Sequence, residues 1–101
     1  MDPVIIQGLK KAKKAFPDVS FIVFGSQVRG TAHADSDLDL CAVFPVLTKD
    51  PFELAYDVRS EIHKYLDIAL DVVICDEPRF NSRGRELWTI EHSIAKEGVA
   101  I

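Results

Sequence analysis

Apolar residues along this chain follow two rhythms, one with helical spacings of three and four and one of short unbroken runs, and the two alternate from end to end. Ile5, Leu9, Ala12 and Phe16 keep the helical spacing behind Asp2 and Pro3, a capping aspartate and a first-turn proline, until Pro17 stops the pattern. The β-branched and aromatic run at 20–24, bounded by Asp18 and Gly25, predicts a buried strand. A brief helix is expected from Ser26, with the serine as its cap, to about Gly30. A polar stretch then leads to a second strand at 37–44, which Pro45 ends. Asp50, Pro51 and Glu53 start another helix, whose apolar stripe is Ala55, Val58, Ile62 and Tyr65 or Leu66. The nearly continuous apolar run at 68–75, broken only by Asp71, predicts a third and interior strand. Leu87, Ile90 and Ile94 mark a last helix that stops at Gly98. Trp88 can belong to the core or to a partner surface, because Leu87 and Ile90 already claim the stripe.

The predicted order is αβαβαβα, four helices on a small mixed sheet of about three strands, in the α/β (α+β) class. At 101 residues, with no repeat or linker, residues 1–101 are expected to form a single domain without room for a separate substrate lobe. The longest apolar runs are far too short to cross a bilayer, and the apolar-then-lysine N-terminus reverses the order of a secretory signal. A cytoplasmic protein is expected. Cys41 and Cys75 lie in the strand-like runs and are expected to be free thiols. With 12 basic and 16 acidic residues, a net charge of −4, the chain lacks the footprint of an autonomous nucleic-acid binder. Lys10, Lys11, Lys13 and Lys14 are expected on the solvated face of the first helix.

The aspartates change the picture. In the segment SDLDL at 36–40, Asp37 and Asp39 are one residue apart in a strand, so they share a face, about 7 Å apart at the backbone, while Leu38, Leu40 and Ala42 take the other. Asp71 adds a third carboxylate in the most apolar run. Buried carboxylates need partners, and one nearby Arg29 cannot neutralise three. A divalent cation can, and an oxygen-only donor set favours Mg²⁺ or Mn²⁺ over zinc. His33, His63 and His92 are spread over three elements without zinc spacing and are read as surface or packing residues.

Gly25 and Ser26 stand where a buried strand turns into a helix, a place where a phosphate can approach the backbone and meet free N–H groups. Followed at once by a metal-binding strand, that turn completes the two halves of a nucleoside triphosphate pocket.

The segment GSQVRGTAHADSDLDL at 25–40 resembles the signature of the DNA polymerase β-like nucleotidyltransferases, Gly-Ser followed after ten residues by Asp-x-Asp. Arg29, Gly30 and Ser36 further resemble the minimal nucleotidyltransferase branch, whose small members include antitoxins paired with HEPN-domain ribonuclease toxins. The resemblance implies a nucleotidyltransferase fold in which Gly25 and Ser26 contact the triphosphate, with Arg29 and Ser36 as further nucleotide-binding residues. It implies that Asp37 and Asp39 hold magnesium ions, two in number, and that Asp71 is a third ligand that helps deprotonate the attacking hydroxyl. Gln27 departs from the basic residue often found there in relatives. The chemistry implied is transfer of AMP from ATP to a hydroxyl, a tyrosine of a HEPN-type toxin, within a hetero-oligomer. The alternatives are an antitoxin that inhibits by binding alone, or nucleotidyl transfer to a small molecule.

Overall fold

The computed structural model describes residues 1–30 and 37–101. Its elements are α1 (Pro3–Lys13), β1 (Ser20–Phe24), α2 (Ser26–Arg29), β2 (Leu38–Phe44), α3 (Pro51–Ile62), β3 (Leu70–Asp76), α4 (Glu77–Arg83), α5 (Ile90–Glu97) and β4 (Val99–Ala100). The α/β class and the mixed sheet agree with the sequence pattern. The count does not: α4 and the short β4 are additional, giving five helices and four strands among the described residues.

Capping starts the helices. The Asp2 carboxylate accepts from the Val4 N–H at 2.9 Å and the Asp50 carboxylate from the Phe52 N–H at 2.8 Å, each just before a first-turn proline. In α1, Ile5, Leu9 and Ala12 are buried, and the lysines of its last turn face the negative end of the helix dipole. The helix closes at Lys13, yet Phe16 still packs inward, edge-on to Phe44 with ring centres 6.4 Å apart. The stripe of α3 is Leu54, Val58 and Ile62; Ala55 lies beside it, only partly buried.

The sheet runs β3-β2-β1-β4. Strands β2 and β3 are parallel, while β1 is antiparallel to both β2 and β4. The run at 68–75 is expected inside the sheet, but β3 forms one edge, and β2 and β1 are the interior strands. Its unbroken apolar character has another cause: Leu70, Val72 and Ile74 pack on the layer that contains α3, while Cys75 packs towards α4. Cover on both faces produces the same pattern as a central position.

Alternation divides β1 and β2 between two cores. Phe21, Val23, Leu38, Leu40, Ala42 and Phe44 join α1 and α3 in a cluster of 14 buried residues, whereas Cys41 and Val43 meet Phe80 of α4 and Ile94 of α5 in a cluster of four. Burial of each large apolar side chain contributes about 1.5–3 kcal/mol, so the first layer carries most of the stability. Among the described residues the second face buries fewer apolar side chains. There, α4 is started by Asp76, whose carboxylate accepts from the Arg79 N–H at 2.8 Å, and it is tied to α5 by the Arg83–Glu91 ion pair. Thr89 caps α5 by accepting from the His92 N–H at 3.1 Å. The last helix therefore begins after Leu87, which is exposed and outside its stripe.

Candidate active site

The site residues gather on the face that carries the smaller buried cluster. Asp39, in β2, is the register partner of Phe24 in β1 and of Asp71 in β3. Register partners in a parallel ladder point to the same face at about 4.8 Å backbone separation, so the third carboxylate lies beside the second. Asp37 immediately precedes β2 rather than opening it, two residues from Asp39 and on the same side. Asp39 is partly buried, while Asp37 and Asp71 are exposed. The desolvation argument from sequence therefore holds for Asp39 and fails for Asp71, because the strand that carries it is an edge.

Electrostatics ties the cluster together. Burial raises the Asp39 carboxyl above the usual carboxylate range, the charges of Asp71 and Asp37 raise it further, and the Arg29 guanidinium opposes them. Like charges directly opposite in a ladder are destabilising. The fold holds them close nonetheless, with Arg29 as the opposing cation. That guanidinium also lies 3.9 Å from the Glu97 carboxylate at the end of α5. Nothing in the spacing of the sequence anticipates Glu97; it arrives only because α5 packs back towards β1.

The turn after β1 shows why position 25 is glycine. Gly25 has φ 78° and ψ −151°, a conformation closed to residues with a side chain, and a Cβ built there would overlap the Asp39 carboxylate. Backbone and carboxylate thus approach within van der Waals contact. Gly25, rather than Ser26, is the cap residue of α2, and Ser26 is its first helical residue; the helix ends at Gly30 in the left-handed region. The strand-to-helix turn and the strand that carries Asp39 are thus side by side. Ser36 and His33 lie outside the described residues. His63 and His92 each hold a backbone carbonyl, that of Ile68 at 2.9 Å and that of Gly84 at 2.8 Å, as packing histidines do.

The donor chemistry suits a hard divalent cation: carboxylate oxygens only, in mutual repulsion, with Arg29 opposing. Among the described residues no three His, Cys, Asp or Glu side chains converge as a formed metal-binding group. The cluster is thus defined by register and charge rather than by coordination geometry. Two clefts of about 460 and 470 Å³ run along α1, on the layer opposite the carboxylates. They have no part in this arrangement.

Solved structures share the fold. A protein from Sulfolobus solfataricus assigned as a nucleotidyltransferase is 17% identical with a TM-score of 0.50, over 99% of this chain and 87% of that one. A chain of a toxin–antitoxin structure containing AMP-PNP is 21% identical with a TM-score of 0.56, over 93% of this chain and 69% of that one. No curated protein sequence matches the chain. Residues 5–101 match the family described as nucleotidyltransferase domain, nearly the full sequence: the chain belongs to the nucleotidyltransferase domain family.

Proposed function

We propose that this nucleotidyltransferase moves AMP from ATP to a tyrosine hydroxyl of a partner protein, and so acts as the antitoxin of a HEPN-type ribonuclease toxin. The observation that carries the reading is the pairing of Asp39 with Asp71 across the β2–β3 ladder, with Asp37 near enough to raise the Asp39 carboxyl. A structural neighbour that belongs to a toxin–antitoxin structure with AMP-PNP supports an adenine nucleotide and a toxin as partner; the HEPN type rests on the sequence resemblance alone.

In this reading Gly25, lacking a side chain, admits the triphosphate to the backbone, and Ser26, Arg29 and Ser36 bind it. Asp37, Asp39 and Asp71 would hold magnesium, which when bound offsets the charge of the carboxylates and the triphosphate. Asp71, exposed on the edge strand, takes the proton of the acceptor hydroxyl as its oxygen attacks the α-phosphorus. The bond to the β-phosphate oxygen breaks, and pyrophosphate leaves. Holding nucleotide and acceptor in line supplies much of the rate.

The test is incubation with Mg²⁺, ATP and the protein encoded beside this chain in its genome. An AMP adduct on a partner tyrosine, absent with Asp37→Asn/Asp39→Asn, supports the reading. Inhibition of the partner without any adduct shows that contact alone suffices, and an adduct on small-molecule hydroxyls only shows that the acceptor has been misassigned.

A further inference from the structure

We propose that Cys41 and Cys75 are a peroxide-responsive dithiol that closes to a reversible disulfide and displaces β3 against β2. Both cysteines are free, and the Cys41 thiol donates to the Cys75 sulfur with the two sulfurs 3.7 Å apart. They are diagonal neighbours in the ladder, Cys41 opposite Val73 and Cys75 opposite Val43. Both point to the face that carries Asp39 and Asp71, since they follow those residues by even numbers of positions.

Their environments differ in the way an attacking and a resolving thiol require. Cys41 is fully buried, out of reach of an oxidant. Cys75 is partly exposed and lines a cleft of about 330 Å³ together with Arg79, Arg83 and Glu91. The hydrogen bond from Cys41 holds the Cys75 thiol below its usual range, and Arg79 adds to this, while burial, Glu91 and Asp76 oppose it.

The chemistry balances with a hydroperoxide as oxidant. The Cys75 sulfur attacks the O–O bond; an S–O bond forms, and the leaving oxygen departs as water or alcohol, with sulfur oxidised by two electrons and the peroxide reduced by two. Cys41 sulfur then attacks the sulfenic sulfur; the S–S bond forms, the S–O bond breaks, and the hydroxyl leaves as water with the Cys41 proton.

Closure has a mechanical consequence. A disulfide needs the sulfurs at about 2.05 Å, so they must approach by roughly 1.6 Å from their present separation. Diagonal ladder neighbours stand about 7–8 Å apart at Cα, at or beyond the upper limit for a relaxed bridge. One strand must therefore shift. β2 is hydrogen-bonded on both sides and β3, within the sheet, only to β2, so β3 moves and takes Asp71 with it. A bridge formed under that strain is readily reduced. Its effect on nucleotide transfer rests on the function proposed above; the thiol chemistry and the strand shift do not.

Reduced protein is treated with hydrogen peroxide and followed by thiol counting, intact mass and hydrogen exchange. The expected result is loss of both thiols and of two hydrogens in the monomer, faster exchange over residues 70–76, and reversal by dithiothreitol. Cys41→Ala should accumulate a dimedone-reactive sulfenic acid at Cys75, and Cys75→Ala should lose its remaining thiol severalfold more slowly than wild type. Thiols that persist, a bridge between chains, equal labelling of the two variants, or unchanged exchange over 70–76 would each overturn the proposal. Oxidation should also reduce the stabilisation given by Mg²⁺ and ATP. If the reduced protein shows no such stabilisation, the proposed function fails while the thiol and exchange readouts still decide this inference.

Discussion

Asp39 and Asp71 oppose each other in the parallel ladder of β2 and β3, one partly buried and the other open to solvent. Two carboxylates in register add nothing to the stability of a sheet. Between them Asp39 carries the cost of burial and Asp71 does not, since only Asp39 is partly buried.

Asp71→Asn removes half of the opposed pair. Relief of like-charge repulsion should stabilise the free protein by a few tenths of a kcal/mol, small because Asp71 is exposed and screened. The same change should abolish the rise in melting temperature produced by Mg²⁺ with ATP. Thermal melts with and without ligand measure both, and an undiminished rise would remove Asp71 from the site.

Acid should relieve the cost of burying the charged Asp39 carboxylate. The folded Asp39 carboxyl lies above its ordinary value of 3.8, so between that value and the raised one the native state binds more protons than the unfolded state. In that window the contribution of Asp39 to stability increases as pH falls. Asp39→Asn should therefore be more stable than wild type near neutrality, and the difference should shrink as pH falls through the raised value. Denaturant melts across pH read the difference directly, and a gap that widens on acidification contradicts the shift.

Two glycines with positive φ should respond differently to alanine. Gly30 is left-handed, with no atom of the described residues within 4 Å of its missing Cβ, so Gly30→Ala costs about 1 kcal/mol of backbone strain. Gly25 combines a conformation essentially restricted to glycine with overlap onto the Asp39 carboxylate, and Gly25→Ala should cost clearly more. It should also displace Asp39. Comparable losses in the two variants would show that the turn relaxes more freely than its geometry suggests.

Asp76 joins the end of β3 to the start of α4. Asp76→Ala removes the acceptor for the Arg79 N–H and should destabilise the protein by about 1 kcal/mol, as for other caps. Trp88→Ala, at a residue 82% exposed, should leave the melting temperature of the isolated chain almost unchanged. A drop of several degrees would place Trp88 in a packed environment.

Local signals carried much of the fold. Capping aspartates followed by proline marked α1 and α3, and alternation at 37–42 placed leucines and carboxylates on opposite faces as found. The same kind of signal stands at Asp76, Glu77 and Pro78, where α4 begins although the apolar spacing there gives no helical stripe. Edge against interior for β3 was not legible, because helices on both faces give an edge strand the composition of a central one. Strand order, and with it the partnership of Asp39 with Asp71, belongs to tertiary pairing that periodicity does not encode. The ion pair of Arg29 with Glu97 is invisible for the same reason, since 68 positions separate the two residues.

The outermost place of β3 also sets a gradient of compliance through the carboxylate cluster. Asp39 is anchored in a strand bonded on both flanks, whose amides should open only with global unfolding, whereas Asp71 rides on a strand with one neighbour. One side of the site is therefore a stiff floor and the other a yielding wall, so changes in the separation of Asp39 and Asp71 should come mainly from movement of Asp71.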